Sequence, residues 1–346
     1  MKKTRASMQD VADAAAVSRA TVSRALAADP RIPEKTRARV RAAANKLGYR
    51  PNALVAALMS HRRAVTRPSF RSVIAYVTRF SKLGAWQPVS ESFGRIWAGA
   101  AESAERQGYK LEEFCLNDPP LSGAKFSRML RARGIHGMVI APLPRPSGHL
   151  RLDWDPFAAV TIGFSLARPE LHRVTTDHFG ALVTAARQCR KRGYRRLGLL
   201  LTGWVNERTD RRWLGAQLVE NLREGESGAV PPLVARDWDE RAFRRWFRAH
   251  RPDVLLGVHM YRVLAVLEKM RVRVPRDVGL VSLELRERES GLSGMDQNFE
   301  AIGATAVNTV IGMLHRGERG LPTVPQKILL DATWREGASL PTMRTR

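Results

Sequence analysis

Apolar positions in the first fifty residues recur at helical spacing in three short runs, each with its own punctuation. The first run, in "MQDVADAAAVSRATVSRAL" (Met8 to Leu26), opens after Ser7, which with Asp10 makes a Ser-x-x-Asp capping box. Val11, Ala14 and Ala15 then share one helical face. Val17 marks a buried turn, and Ser18 caps a second helix over about Arg19 to Ala27, with Val22 and Leu26 inward at i, i+4. The third helix has Pro33 at its first turn, the strongly helix-forming "EKTRARVRAAANKL", and Gly48 just past its end; its inward stripe is Val40, Ala43, Ala44 and Leu47. Helices this short cannot each bury a core, so the pattern predicts a small all-α head in the helix-turn-helix layout.

After residue 50 the pattern changes twice. Pro51 stops the third helix, and Asn52 can cap a short apolar segment, Ala53 to Met59. A lone helix of that length is unstable in water, so it needs a partner, either the next domain or its own twin across a dimer axis. "SHRRAVTRPS" then links onward. From Ser72 short apolar runs such as "SVIAYVT", "GMVIAPL", "RLGLLLT" and "VGLVSLE" alternate with amphipathic helical stretches such as "SFGRIWAGAAESAERQG" and "AIGATAVNTVIGMLHRG". Alternating β and α segments predict parallel sheets covered on both faces, and two such series predict two doubly wound lobes with a ligand cleft at the strand C-termini. The expected division is a head over 1–50, a hinge and linker over 51–71, and a two-lobed domain over 72–340. Its first lobe would span about 72–164 plus 292–325, and its second about 165–291 plus 326–340.

Charge sharpens the picture of the head. The chain has 346 residues and a net charge of +25, which suits a polyanionic partner. Residues 1–67 carry +11 of it, several-fold denser than the rest. On the second helix Arg19 and Arg24 can each chelate a guanine edge in the major groove, and Ala20 can meet a thymine methyl. Thr21 and Ser23 suit phosphate oxygens, and Ser18 at the cap completes this candidate set.

Other chemistry is sparse. There is no GxGxxG, P-loop, GxSxG or HExxH pattern, and the eight histidines are scattered. No enzyme, cofactor or metal site is expected. Cys115 and Cys189 lack metal-like spacing and read as free buried thiols. No signal peptide and no long uncharged apolar run is present, so the expectation is a cytoplasmic protein without membrane contact.

"DVADAAAVSRATVSRAL…RIPEKTRARVRAAANKLGYRPNALVAAL" resembles the N-terminus of the lactose/galactose-repressor (LacI/GalR) family with no gap needed, and the resemblance extends over essentially the whole chain. One departure is Ala16, where the family usually has Gly; a slightly adjusted turn is expected there. The resemblance implies a nucleoid-associated transcription factor, most often a repressor, bound as a homodimer to a pseudo-palindromic double-stranded DNA operator. It implies that Asn52, Ala53 and Leu58 belong to a hinge helix that pairs with its twin and pushes Leu58 into the minor groove. It also implies a periplasmic-binding-protein-like effector domain that takes a small molecule, a sugar or sugar derivative.

Carried over position by position, the family's pocket falls on Arg212, Trp238, Glu284 and Gln297, while Asp177 reads better as a helix cap. Three corners depart from the family: His259-Met260 replaces Asn-Asp, Gly163 replaces Asp, and Arg79 replaces a small hydroxyl residue. Arg79 and His259 therefore join the candidates. The altered corners keep a second reading open, a ligand-independent DNA-binding regulator with a degenerate pocket. The segment after "DATWREGASL" has no heptad pattern, so a dimer without a tetramerisation tail is expected.

Overall fold

The Ser7 hydroxyl accepts the Asp10 backbone N–H at 3.3 Å while the Asp10 carboxylate accepts the Ser7 N–H at 2.7 Å, and this reciprocal cap starts helix α1, Met8–Ala14. The computed structural model describes residues 7–26, 32–49, 72–224 and 229–343. Helices α2 (Arg19–Leu26) and α3 (Glu34–Lys46) complete the head. Its core is Val11, Ala12, Ala15, Val22, Ala25, Val40 and Ala44. Ala14 and Leu47 are exposed instead of inward, because Ala12 and Ala15 turn toward α2 and α3 and Leu47 lies past the last turn. Val17 and Leu26 are half-buried against the core.

The turn between α1 and α2 keeps the left-handed geometry that Gly would supply. Ala16 has φ 49°, and the Val17 N–H reaches back to the Ala12 carbonyl at 3.0 Å. This is the closure of a Schellman-type helix end, made here with Ala. The expected adjustment of the turn does not occur; Ala16 carries the strain.

The large domain holds two six-stranded sheets. The first contains β1 (Ser72–Thr78), β2 (Tyr109–Cys115), β3 (Gly137–Ile140), β5 (Ala158–Ile162), β7 (His172–Thr176) and β13 (Lys327–Leu330), in the order β13-β7-β5-β3-β1-β2 and parallel throughout. Helices α4 (Glu91–Arg106), α5 (Gly123–Ala132) and α11 (Phe299–Arg316) belong to this lobe, and β4 (Gly148–His149) pairs with β6 (Leu166–Arg168) beside it. The second sheet contains β8 (Leu197–Thr202), β9 (Leu233–Ala235), β10 (Val254–Gly257), β11 (Gly279–Ser282), β12 (Ser293–Asp296) and β14 (Thr333–Arg335), in the order β14-β12-β11-β10-β8-β9. Only β14 among these runs antiparallel. Helices α6 (His178–Lys191), α7 (Gly203–Arg208), α8 (Arg212–Glu224), α9 (Glu240–His250) and α10 (Met260–Lys269) cover it.

The chain crosses between lobes after β7, after β12 and after β13. This shifts the expected boundaries. Residues 172–176 pair with β5 and β13, not with the second sheet, and Val174 enters the first core. Residues 293–296 pair with β11 and β14, and 327–330 with β7, so both later crossings also fall where a strand ends. A strand's sheet is decided by ladder partners distant in sequence, which local periodicity does not report. Two helices, not one, follow β8: α7 ends at Arg208, and Asp210 and Arg211 take φ 53° and 56° before α8 begins.

Cys115 and Cys189 are free and buried. No helix among the described residues is long and apolar enough to cross a membrane.

Candidate functional site

On the head, α2 presents Arg19 and Arg24 to solvent while Val22 and Ala25 are buried. Neither arginine has a carboxylate partner among the described residues. Ser18 and Thr21 satisfy each other: the Ser18 hydroxyl accepts the Thr21 N–H at 3.1 Å and their hydroxyls lie 2.9 Å apart. Ser18 therefore fixes the start of α2, and the two arginines project from a rigid, capped helix. Asn52, Ala53 and Leu58 lie outside the described residues, as do the side chains of Ala20 and Ser23.

Between the lobes, where both sheets' strands end, is a cavity of about 100 Å³. The first lobe contributes Ser90, Ser92, Phe93, Phe164, Thr175 and Phe299 to its wall; the second contributes His178, Trp204, Arg208, Trp213, His259, Glu284 and Arg286. Arg208 is the last residue of α7. Its guanidinium lies over the Trp204 ring at 4.5 Å and the Phe93 ring at 5.3 Å, and donates to the Leu143 carbonyl at 2.8 Å. Arg286 and Glu284 form an ion pair at 2.7 Å, both largely buried, and the Arg286 Nε is unpartnered.

Burial sets the protonation of this wall. Desolvation, and after it the field of Arg212 and Arg208, pushes His178 down to about 3. Desolvation with Arg286, Arg262 and Arg288 pushes His259 down to about 4. Both imidazoles are neutral near pH 7, and the His178 ring stands edge-on to Trp213 at 4.9 Å. Desolvation also pushes Arg208 down to about 10, and Glu284 only partly offsets this.

Of the effector candidates, His259 and Glu284 line the cavity. Arg212 stands beside it, over the ring of Phe164 at 4.7 Å and within 3.5 Å of Asp210. Arg79 is exposed, donates to the His149 carbonyl at 2.9 Å, and is not among the residues that line the cavity. Trp238 packs on Phe243 at 5.7 Å and lines a smaller neighbouring pocket that shares His259. Gln297 is buried at the second crossing, donating to the Leu283 carbonyl. Asp177 caps α6, accepting the Gly180 N–H at 3.1 Å.

Sequence reasoning missed Arg208 and Trp204, which line the cavity and stack on one another. They stand at i, i+4 directly after the C-terminal end of a core strand, the place where a doubly wound lobe exposes ligand contacts. The break at Asp210-Arg211 separates them from α8 through two positive-φ residues without a glycine, and of the two only Asp210 is a turn former. Among the described residues no cluster of His, Cys, Asp or Glu could hold a metal ion.

Residues 7–52 match the lacI family of bacterial regulatory proteins, and residues 186–340 match the periplasmic binding protein-like domain. The HTH-type transcriptional regulator KdgR of Bacillus subtilis strain 168 is 22% identical over 341 residues, covering 94% of this chain and 95% of that protein. The HTH-type transcriptional repressor PurR of Klebsiella pneumoniae strain 342 is 23% identical over 325 residues, covering 88% and 89%. In fold, the lac repressor dimer bound to operator and the anti-inducer ONPF is similar at TM-score 0.57 and 18% identity, over 98% of this chain and 100% of that one. A complex of the transcriptional regulator CelR with cellobiose is similar at TM-score 0.56 and 20% identity, over 97% and 100%.

Proposed function

We propose that the chain is a member of the lacI family of bacterial regulatory proteins and a sequence-specific transcriptional repressor, whose hold on its operator is set by a small molecule in the cleft. As a homodimer it would place two copies of α2 in successive major grooves of a pseudo-palindromic site, with Arg19 and Arg24 on base edges. The effector would be a sugar or sugar derivative, by analogy with the cellobiose-bound relative in fold.

The observation that carries this reading is the position of the cavity. Its wall is built from both lobes, and Arg208 of the second lobe is hydrogen-bonded to the first. A molecule that binds there has different contacts for each relative placement of the lobes, which is what a ligand needs in order to bias a two-state element. The named repressor among the relatives supports the direction of control.

Footprinting upstream of the protein's own gene at physiological salt tests the proposal. The expected result is protection of one palindrome with half-sites about one helical turn apart. Uniform, salt-sensitive coverage with no preferred site would overturn it.

A further inference from the structure

We propose that the ligand of this cleft is an anion: a compact molecule with one ring and one carboxylate or phosphate group, the acidic group held by Arg208 and Arg286. The proposal rests on the reading of the cleft as an effector site and names the chemistry of what enters it.

Charge is the first argument. The cavity wall carries two guanidinium groups, Arg208 and Arg286, and one carboxylate, Glu284. That carboxylate is committed to Arg286 at 2.7 Å. No carboxylate lies within ion-pair distance of Arg208 among the described residues, and its hydrogen bond goes to the uncharged carbonyl of Leu143 at 2.8 Å. His178 and His259 are kept neutral by burial and by the neighbouring arginines, so they donate or accept hydrogen bonds without supplying countercharge. The cavity therefore holds one uncompensated positive charge, at a place poor in water. Buried charges are ordinarily paired, and an acidic ligand group supplies the missing partner.

Donor geometry is the second argument. A guanidinium offers five N–H donors in a planar fork that matches carboxylate and phosphate oxygens two at a time, and Arg208 uses one toward Leu143. The Nε of Arg286 is buried and unpartnered, a further donor awaiting an acceptor. A neutral sugar presents hydroxyls that want acceptors as much as donors. The wall's one carboxylate is already engaged, so such a sugar leaves the Arg208 charge unanswered.

Shape is the third. Trp204, Phe93, Phe164 and Phe299 provide flat apolar faces around the arginine, suited to a ring. A cavity of about 100 Å³ holds about seven to ten water-sized groups at the ~10–15 Å³ each requires, which suits one ring with a substituent and not a disaccharide.

The test uses the full chain and matched probes: D-glucose, D-glucuronate, glucose 6-phosphate and inorganic phosphate, each followed by thermal shift and calorimetry. The expected result is that glucuronate or glucose 6-phosphate binds at least about tenfold tighter than glucose. Glucuronate ahead of glucose 6-phosphate identifies a carboxylate, and the reverse order a phosphate. Arg208→Gln is expected to remove that preference, and Arg208→Lys to restore part of it, with far-UV circular dichroism checking each fold. The selectivity of the unsubstituted chain stands whether or not a variant folds. Glucose bound as tightly as either acid, and lost in Trp204→Ala, would overturn the anion while leaving the cleft as the effector site. Acid binding that is unchanged in both Arg208→Gln and Trp204→Ala would place the ligand elsewhere and overturn both.

Discussion

Arg208, from the second lobe, donates a hydrogen bond across the cleft to the carbonyl oxygen of Leu143 in the first, at 2.8 Å, while the Leu143 N–H is itself held by the Ser165 hydroxyl at 2.8 Å. The contact ties the lobes through a charge that the fold pays to bury. Desolvation brings Arg208 down to about 10, which corresponds to a penalty of about 3 kcal/mol on the charged form. One hydrogen bond from a charged donor and two ring contacts return about 2.5–5 kcal/mol, close to that penalty. Arg208→Met, similar in length and uncharged, is therefore expected to leave the melting temperature of the unliganded protein nearly unchanged, while abolishing ligand-induced stabilisation. A fall of several degrees in the unliganded protein would show that Arg208 is retained for stability and not for function.

The two buried histidines make the large domain sensitive to mild acid. Each has an ordinary value of 6.5; in the fold His178 lies at about 3 and His259 at about 4. Between those values and 6.5 the unfolded chain binds more protons than the folded one. Stability is therefore fully present above 6.5 and is lost as pH falls below it, at about 1 kcal/mol per pH unit for each histidine. Melting temperature should drop steadily from pH 6.5 to 5, with His136, also lowered by burial and Arg319, adding to the drop, and His178→Gln should make it shallower, whatever its effect at pH 8. An unchanged slope would mean that His178 does not titrate on unfolding in this range.

Much of the fold was legible because its signals are local. The Ser7–Asp10 box, the alternation of apolar runs with amphipathic helices, and Asp177 as a cap each depend on residues within a few positions of one another. The lobe assignment of residues 172–176 was not legible, because ladder partners at 160–162 and 327–330 decide it. The cleft divides in the same way. Glu284 and His259 sit at strand ends and line the cavity; Arg208 precedes a break made by two non-glycine residues with positive φ. Trp238 and Gln297 were carried over by position, yet one packs on its own lobe's core and the other satisfies a backbone carbonyl.

Helices α4 and α11 touch backbone to backbone through a reciprocal pair of glycines. A Cβ on Gly99 would lie 2.0 Å from the Glu300 carbonyl oxygen, and one on Gly303 would lie 1.9 Å from that of Ile96. Neither neighbour is a side chain that can swing away, so the helices must separate to admit a methyl group. Gly99→Ala and Gly303→Ala should each cost about 2–3 kcal/mol, lowering the melting temperature by about 4–10 °C, despite the better helix propensity of alanine. Gly94, on the same α4, has nothing within 4 Å of its Cβ position, so Gly94→Ala should be neutral or slightly stabilising. Equal effects at Gly94 and Gly99 would remove close packing as the cause.

In the head the strain sits at Ala16, whose φ of 49° closes the α1 end through the Val17 to Ala12 hydrogen bond. A left-handed alanine costs about 1–2 kcal/mol that glycine does not. Ala16→Gly gives back part of that gain, because glycine loosens the unfolded chain by about 0.4–1 kcal/mol. The net expectation is a head more stable by about 0.5–1 kcal/mol. Since the head has its own small core around Val11, Val22 and Val40, the change should stay local. Hydrogen exchange of the amides of α1 and α2 should slow by about two- to fivefold, with exchange in β10 and β11 unchanged. Faster exchange in α1 and α2 would mean that the turn is held by its surroundings without cost at Ala16.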